Sequence, residues 1–396
     1  MTGRIIILFL LFLDALGYGL LMPVLPGVVR RFNADPSFVS HFFGYFIASY
    51  AVVQFIAAPV LGNLSDRYGR RPILLTSLLG AAVDYLLMAF APNLYLLFIG
   101  RVVSGLTGAS IAVANAYMAD ISDDKNRTGN FGLVSAALGL GFVIGPGVGG
   151  TLGLLNPKLP FIAAAGMNLI NFASALLFLP ESLPNTSRRR LSAAQWNPLA
   201  SLRQMFQISS LAILYWAYLL VYMAARATST MWTLFTENRF GWSVAEIGVS
   251  LTFLGLIVAL AHGILPRVAV AQLGEMRALR LGLMLSTATY VAIGLATKGW
   301  MLYVIIIVSA FSAVAGPVLQ SRMSSAVQPD AQGRLQGSLA SIASITGIVA
   351  PLIYTAVFAE GVRHAQNILL TGMPFFVAAV FSVIAWLLVV AGAKGI

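Results

Sequence analysis

No cysteine occurs among the 396 residues, and its absence removes disulfides, thiolate metal sites and cysteine nucleophiles together. Charge is nearly as scarce: 9% of the residues are Asp, Glu, Lys or Arg against 59% hydrophobic, and the mean hydropathy is +0.88. A soluble domain cannot hide that much apolar surface from water, so the solvent for most of the chain must be lipid. The only three histidines, His41, His262 and His364, lie in separate segments without metal-ligand spacing, and no Ser-His-Asp set has a nucleophile-elbow context. No metal and no other cofactor is expected. Crossing a hydrocarbon core takes about 20 apolar residues, which leaves room for about a dozen spans and none for a soluble catalytic domain; an enzyme is not expected.

Apolar runs lie near 5–26, 41–63, 73–91, 94–118, 129–153 and 159–179, and again near 210–235, 244–265, 276–296, 300–322, 333–358 and 369–393. Six plus six predicts an all-α membrane protein of twelve helices in two six-helix bundles, 1–180 and 210–396. Between them, 181–209 carries Pro184, Arg188, Arg189, Arg190 and Pro198 and has the composition of a linker. The first run follows Arg4 as a signal peptide would, but Asp14 interrupts it and no small-residue cleavage site follows, which favours a span. Gly132 and Pro146 are spaced fourteen apart like Gly337 and Pro351, each pair preceded by a basic residue, Arg127 or Arg334. That trace of duplication implies parallel repeats with a substrate site between them at the midplane.

The net charge of +11 would suggest nucleic acid in a soluble protein. Loop by loop, sixteen basic residues fall on the side of the two termini and six on the other, with Arg101 and Arg226 inside runs. By the positive-inside rule both termini and the linker are cytoplasmic, and the excess is topogenic. No nucleic-acid partner is expected.

Ionisable groups inside a span are costly and mark function by default. Asp14 sits in "LDALGYGLLMPVLP", where glycines and prolines permit close packing and bending. It is placed either to bind and release a proton or to pair structurally with Arg101. Asp84, in "GAAVDYLL", is open to the same two readings. Arg101 stays charged and would bias a neighbouring carboxylate or hold an anion. Arg226 is a substrate contact, a partner for a first-half acid, or a snorkelling side chain. Gln54, Asn115 and Gln320 are further candidates for a polar cavity lining with Asp14 and Arg226. The loop "GNLSDRYGRRP" places Gly62, Asp66, Arg67, Gly69, Arg70 and Arg71 in one tight connection, within reach of Asp120 at the end of the fourth run. Such charges could latch helix ends; setting topology alone would explain the arginines but neither Asp66 nor the glycines. "GLGFVIGPGVGG" offers Gly141, Gly145, Pro146, Gly149 and Gly150 for a close helix approach with a bend, for packing or for a gating motion.

These stretches carry a resemblance. "GNLSDRYGRRP" and "GRVVSGLTGA" resemble the loop and fourth-helix motifs of the major facilitator superfamily, and "GFVIGPGVGG" its antiporter signature. "LDALGYGLLMPVLP", "LLGAAVDYLLMAF" and "LFTENRFGW" are similar to the tetracycline-resistance efflux pumps of Gram-negative bacteria. The resemblance implies a proton-coupled antiporter, exporting tetracycline-like or other amphipathic drugs by alternating access. It would lie as a functional monomer among the lipids of a bacterial inner membrane. It also implies proton and substrate handling at Asp14, Asp84 and Arg101, and a cytoplasmic gate at Asp66, Arg70 and Asp120. Export of an endogenous metabolite such as a siderophore or sugar is the alternative. Three departures stand out: Ser286 lies where those pumps carry a ninth-helix acid, Val258 where they have a histidine, with His262 one turn on, and Ala271 where Asp66 would recur in the second half.

Overall fold

The computed structural model describes residues 2–108, 110–123, 126–184, 212–328, 332–364 and 368–392. Most of the linker, with Arg188, Arg189, Arg190 and Pro198, lies outside the described residues, as does Lys125. Among the described residues the regular structure is helical: twelve long helices, with a short one at Leu25–Arg30 and a 3-10 stretch at Ile368–Gly372. The first set of long helices is α1 (Thr2–Leu21), α2 (Pro36–Tyr68), α3 (Arg70–Phe90), α4 (Leu94–Asp120), α5 (Arg127–Leu155) and α6 (Leu159–Phe178). The second set is α7 (Ala212–Phe240), α8 (Val244–Leu273), α9 (Glu275–Leu295), α10 (Gly299–Ser325), α11 (Gln332–Arg363) and α12 (Met373–Gly392). Eleven are long and apolar enough to cross a membrane; α7, which carries Arg226, Glu237 and Arg239, is not among them. Helices satisfy their own backbone groups in lipid, which is why so apolar a chain takes this form.

Local chemistry sets the ends. Asp35 accepts the amides of Ser37 (3.2 Å) and Phe38 (3.1 Å) at the start of α2, and the Asn93 side chain accepts the Leu96 amide at 3.0 Å to start α4. Ser243 and Glu246 form a reciprocal capping box at the start of α8. The turns α2–α3 and α8–α9 each hinge on one glycine of positive φ, Gly69 (+105°) and Gly274 (+75°), where any Cβ would be strained. Two helices are interrupted: α4 leaves the helical path at Gly108, which caps Leu94–Thr107, and α10 passes through a 3-10 stretch, Ala310–Val314.

The chain divides into two units. One gathers the described residues of Met1–Asn33, Ser49–Pro198 and Ser243–Gly255; the other gathers those of Ala34–Ala48, Leu199–Trp242 and Leu256–Ile396. In the first, α1 packs on α5 and α6, and α3 on α4 and α6. In the second, α7 packs on α11 and α12, and α9 on α10 and α12, the same pairings six helices later. The first unit's core, around Leu10, Leu11, Leu74, Leu78, Val113, Tyr117 and Leu179, fills the space between its two charged regions, described next.

Candidate functional site

Three helices of the first unit carry ionisable groups into its interior. Asp84 on α3 and Arg101 on α4 are 1% and 6% exposed and form an ion pair through Arg101 Nη2 and Asp84 Oδ2. The same nitrogen lies 3.7 Å from Met88 Sδ, and the guanidinium lies over the Tyr50 ring at 5.5 Å. Room for the carboxylate comes from α4 itself: a Cβ on Gly100 would stand 2.6 Å from Asp84 Oδ1. Asp14 on α1 is half-buried and accepts one hydrogen bond, from Ser110 Oγ at 2.8 Å. Of the two sequence readings for Asp14, the pairing with Arg101 is not formed among the described residues; Arg101 pairs with Asp84. No Lys, Arg or His lies within ion-pair distance of Asp14 among the described residues.

Polar and aromatic groups close around these acids. Gln54 Nε2 donates to Tyr50 Oη and to the Gly108 carbonyl, both at 2.9 Å, so α2 takes up a backbone acceptor freed where α4 breaks. A Cβ on Gly17 would meet the Tyr85 hydroxyl at 3.0 Å, which places that phenol beside α1. Tyr18 and Phe142 meet edge to face at 5.8 Å. Tyr50, Tyr85 and Ser110 were not singled out in the sequence; aromatic and hydroxyl residues are too common in spans to signal alone. Asn115 is half-buried on α4. The remaining cavity candidates belong to the second unit: Arg226 Nη2 donates to the Ala343 carbonyl of α11 at 3.2 Å, and Gln320 Nε2 to Gln336 Oε1 at 3.3 Å. Ser286 is half-buried on α9, one turn before Tyr290.

The tight-turn residues assemble beyond the apolar core. Arg70 joins three groups: Nη1 to Asp66 at 2.5 Å, Nη1 to Ser65 Oγ at 2.7 Å, and Nε to Asp120 Oδ2 at 3.2 Å. Arg71 turns away and caps α6 through the Leu176 carbonyl at 2.5 Å. Arg67 is exposed and lies over the Tyr68 ring, while Gly62 faces open space and accepts Ser65 Oγ at its carbonyl, 2.7 Å away. Of the two arginines placed within reach of Asp120 by the sequence, Arg70 makes the contact. Glu181 and Ser182, which join this cluster from beyond α6, were missed.

Four glycines of α5, Gly141, Gly145, Gly149 and Gly150, face the backbone of another helix. A Cβ at Gly141 would lie 2.5 Å from the Phe12 carbonyl oxygen of α1, and one at Gly145 would lie 2.7 Å from that of Leu16. Gly149 would collide with Leu20, and Gly150 would stand 2.7 Å from the Val244 carbonyl of α8. Pro146 touches Gly19 of α1, and its carbonyl faces Gly248 of α8.

With this geometry in place, the relatives can be compared. The model of the Major Facilitator Superfamily matches residues 7–351. The chain belongs to that superfamily. It is a membrane transporter, not an enzyme. Among its superfamily relatives, "Tetracycline resistance protein, class C" of Escherichia coli is 43% identical over 358 residues, 90% of each chain. "Multidrug resistance protein 2" of Bacillus subtilis (strain 168) is 27% identical over 92% of this chain and 90% of the other. Among solved structures, an inward-facing, unoccupied bacterial homolog of the human lysosomal transporter Spinster superposes with a TM-score of 0.81 at 14% identity, over 99% of this chain and 96% of that one. At that identity it shares the fold alone.

Proposed function

We propose that this transporter is a proton-coupled antiporter that exports tetracycline-like or other amphipathic drugs by alternating access of its two halves. One observation carries the coupling: among the described residues the interior of the first unit holds Asp14, Asp84 and Arg101, and Arg101 pairs with Asp84. Asp14, which accepts from the Ser110 hydroxyl and has no cation at ion-pair distance among the described residues, takes either a proton or the positive end of a substrate, and competition for one carboxylate is what exchange requires. The aromatic rings of Tyr18, Phe142, Tyr50 and Tyr85 suit the apolar body of such a molecule. Similarity to relatives named for tetracycline and multidrug resistance supports the substrate class. Ser286 in place of an acid on α9 leaves coupling to the first unit. Arg70 with Asp66 and Asp120 serves as the gate, and the glycine face of α5 as the close-packed antiporter helix. The charge bias of the loops puts both termini in the cytoplasm, with lipid and a small drug as partners and no nucleic acid, for a functional monomer of the inner membrane.

The test uses proteoliposomes holding a pH-sensitive dye and an imposed proton gradient, to which tetracyclines and unrelated amphipathic drugs are added. Drug-triggered dequenching is expected, and Asp14→Asn should abolish it while leaving the melting temperature near the parent's, because Asn still accepts from Ser110. Full exchange by Asp14→Asn would sink the proton role.

A further inference from the structure

Helix α3 opens on two arginines, Arg70 and Arg71, the charge sign that a helix N-terminus disfavours. It follows Gly69, which has no side chain to cap it. The missing acceptor comes from far along the sequence. Glu181, three residues past the end of α6, accepts the Arg70 amide with Oε1 at 2.8 Å and the Arg71 amide with Oε2 at 3.2 Å. It also gathers the amides of Ser182 (3.0 Å) and Leu183 (3.1 Å). Space for the carboxylate exists because residue 69 is glycine: a Cβ there would collide with it. The same short segment is tied twice more, by Ser182 Oγ to Asp120 Oδ2 at 2.9 Å and by Tyr117 Oη to the Pro180 carbonyl at 2.9 Å. At the matching turn of the second half, Gly274 opens α9 and the acid is Glu275, the helix's own first residue.

We propose that Glu181 is a detachable cap through which the start of the central segment controls the charge latch. Seated, it holds the first turn of α3, and so aims Arg70 at Asp66 and Asp120; withdrawn, that turn frays and Arg70 loses its bearing. Glu181 is thus a positioning residue, and the proposal rests on the gate reading given above.

The lack of native cysteine permits a single-residue reporter. In inverted membrane vesicles carrying the full chain, Leu74→Cys, buried one turn into α3, is labelled with N-ethylmaleimide; a second chain carries only Ala385→Cys, buried in α12. Glu181→Gln, equal in size but uncharged, should raise the labelling rate at 74 by about fivefold, and Glu181→Asp, which keeps the charge, should stay within about twofold of the parent. The rate at 385 should not move in either. A rate at 74 that stays at the parental value in both Glu181→Gln and Glu181→Ala overturns the proposal. So does an equal rise at 74 and 385, since Glu181 would then hold the whole fold rather than one helix end. Labelling uses no substrate, so this outcome stands apart from whether the chain exports drugs.

Discussion

Replacing Gly145 by alanine adds one methyl group where α5 crosses α1. Its Cβ would lie 2.7 Å from the Leu16 carbonyl oxygen, 2.9 Å from Gly19 Cα and 3.2 Å from Gly19 C, the first of these 0.7 Å inside the 3.4 Å at which ordinary contact begins. All three atoms are backbone, so no rotamer relieves the clash and α1 must move away as a body. Overpacking of this kind costs about 1–3 kcal/mol, offset by about 1 kcal/mol from exchanging a helical glycine for alanine. Asp14 lies half a turn from Leu16, and its 2.8 Å bond to Ser110 would stretch by a similar amount, to the edge of hydrogen-bonding range. Gly139→Ala is the matched control: nothing stands within 4 Å of a Cβ there, so it gains the propensity without the clash. In a detergent melting assay Gly145→Ala should fall below the parent and Gly139→Ala should equal or exceed it. Drug-triggered proton release should weaken only in the first. If the two variants melt and transport alike, the close approach of α1 and α5 is not what the glycines are for.

Neutralising one member of the buried pair, by Arg101→Met or Asp84→Asn, should destabilise by about 3–5 kcal/mol, because the other charge is stranded. The double variant should melt closer to the parent, which thermal unfolding checks directly. Arg70→Lys keeps the charge but cannot serve Asp66, Ser65 and Asp120 at once. Its exchange rate should drop by about tenfold, equivalent to 1.4 kcal/mol, with protein levels in the membrane unchanged; parental exchange by this variant would remove Arg70 from the gate.

The spans were legible because hydrocarbon imposes one length and one composition on them. Only α7, which carries Arg226, Glu237 and Arg239, is not among the helices long and apolar enough to cross a membrane, although it is as long as its neighbours and its run at 210–235 was read as a span. Asp14, Asp84 and Arg101 stood out for the same reason, as charges where charges are rare. Which acid Arg101 takes was not legible: that depends on how α3, α4 and α1 are rotated against each other, and one sequence carries no measure of rotation. Ser110 and Tyr50 stayed hidden because their residue types also serve ordinary packing. A trace of Glu181 was present in the two arginines that open α3 behind a glycine, a helix start in need of an acceptor that its own sequence does not supply.

The break in α4 leaves a separate rod, Ser110–Asp120, about 15 Å from end to end at 1.5 Å per residue. Its first residue holds Asp14, and its last holds Arg70 and Ser182. Three turns of helix are stiff, so a tilt at one end is a displacement at the other. The carboxylate in the interior and the arginine at the turn are thus bound to opposite ends of one short helix, which starts just past Gly108, where Gln54 holds the backbone.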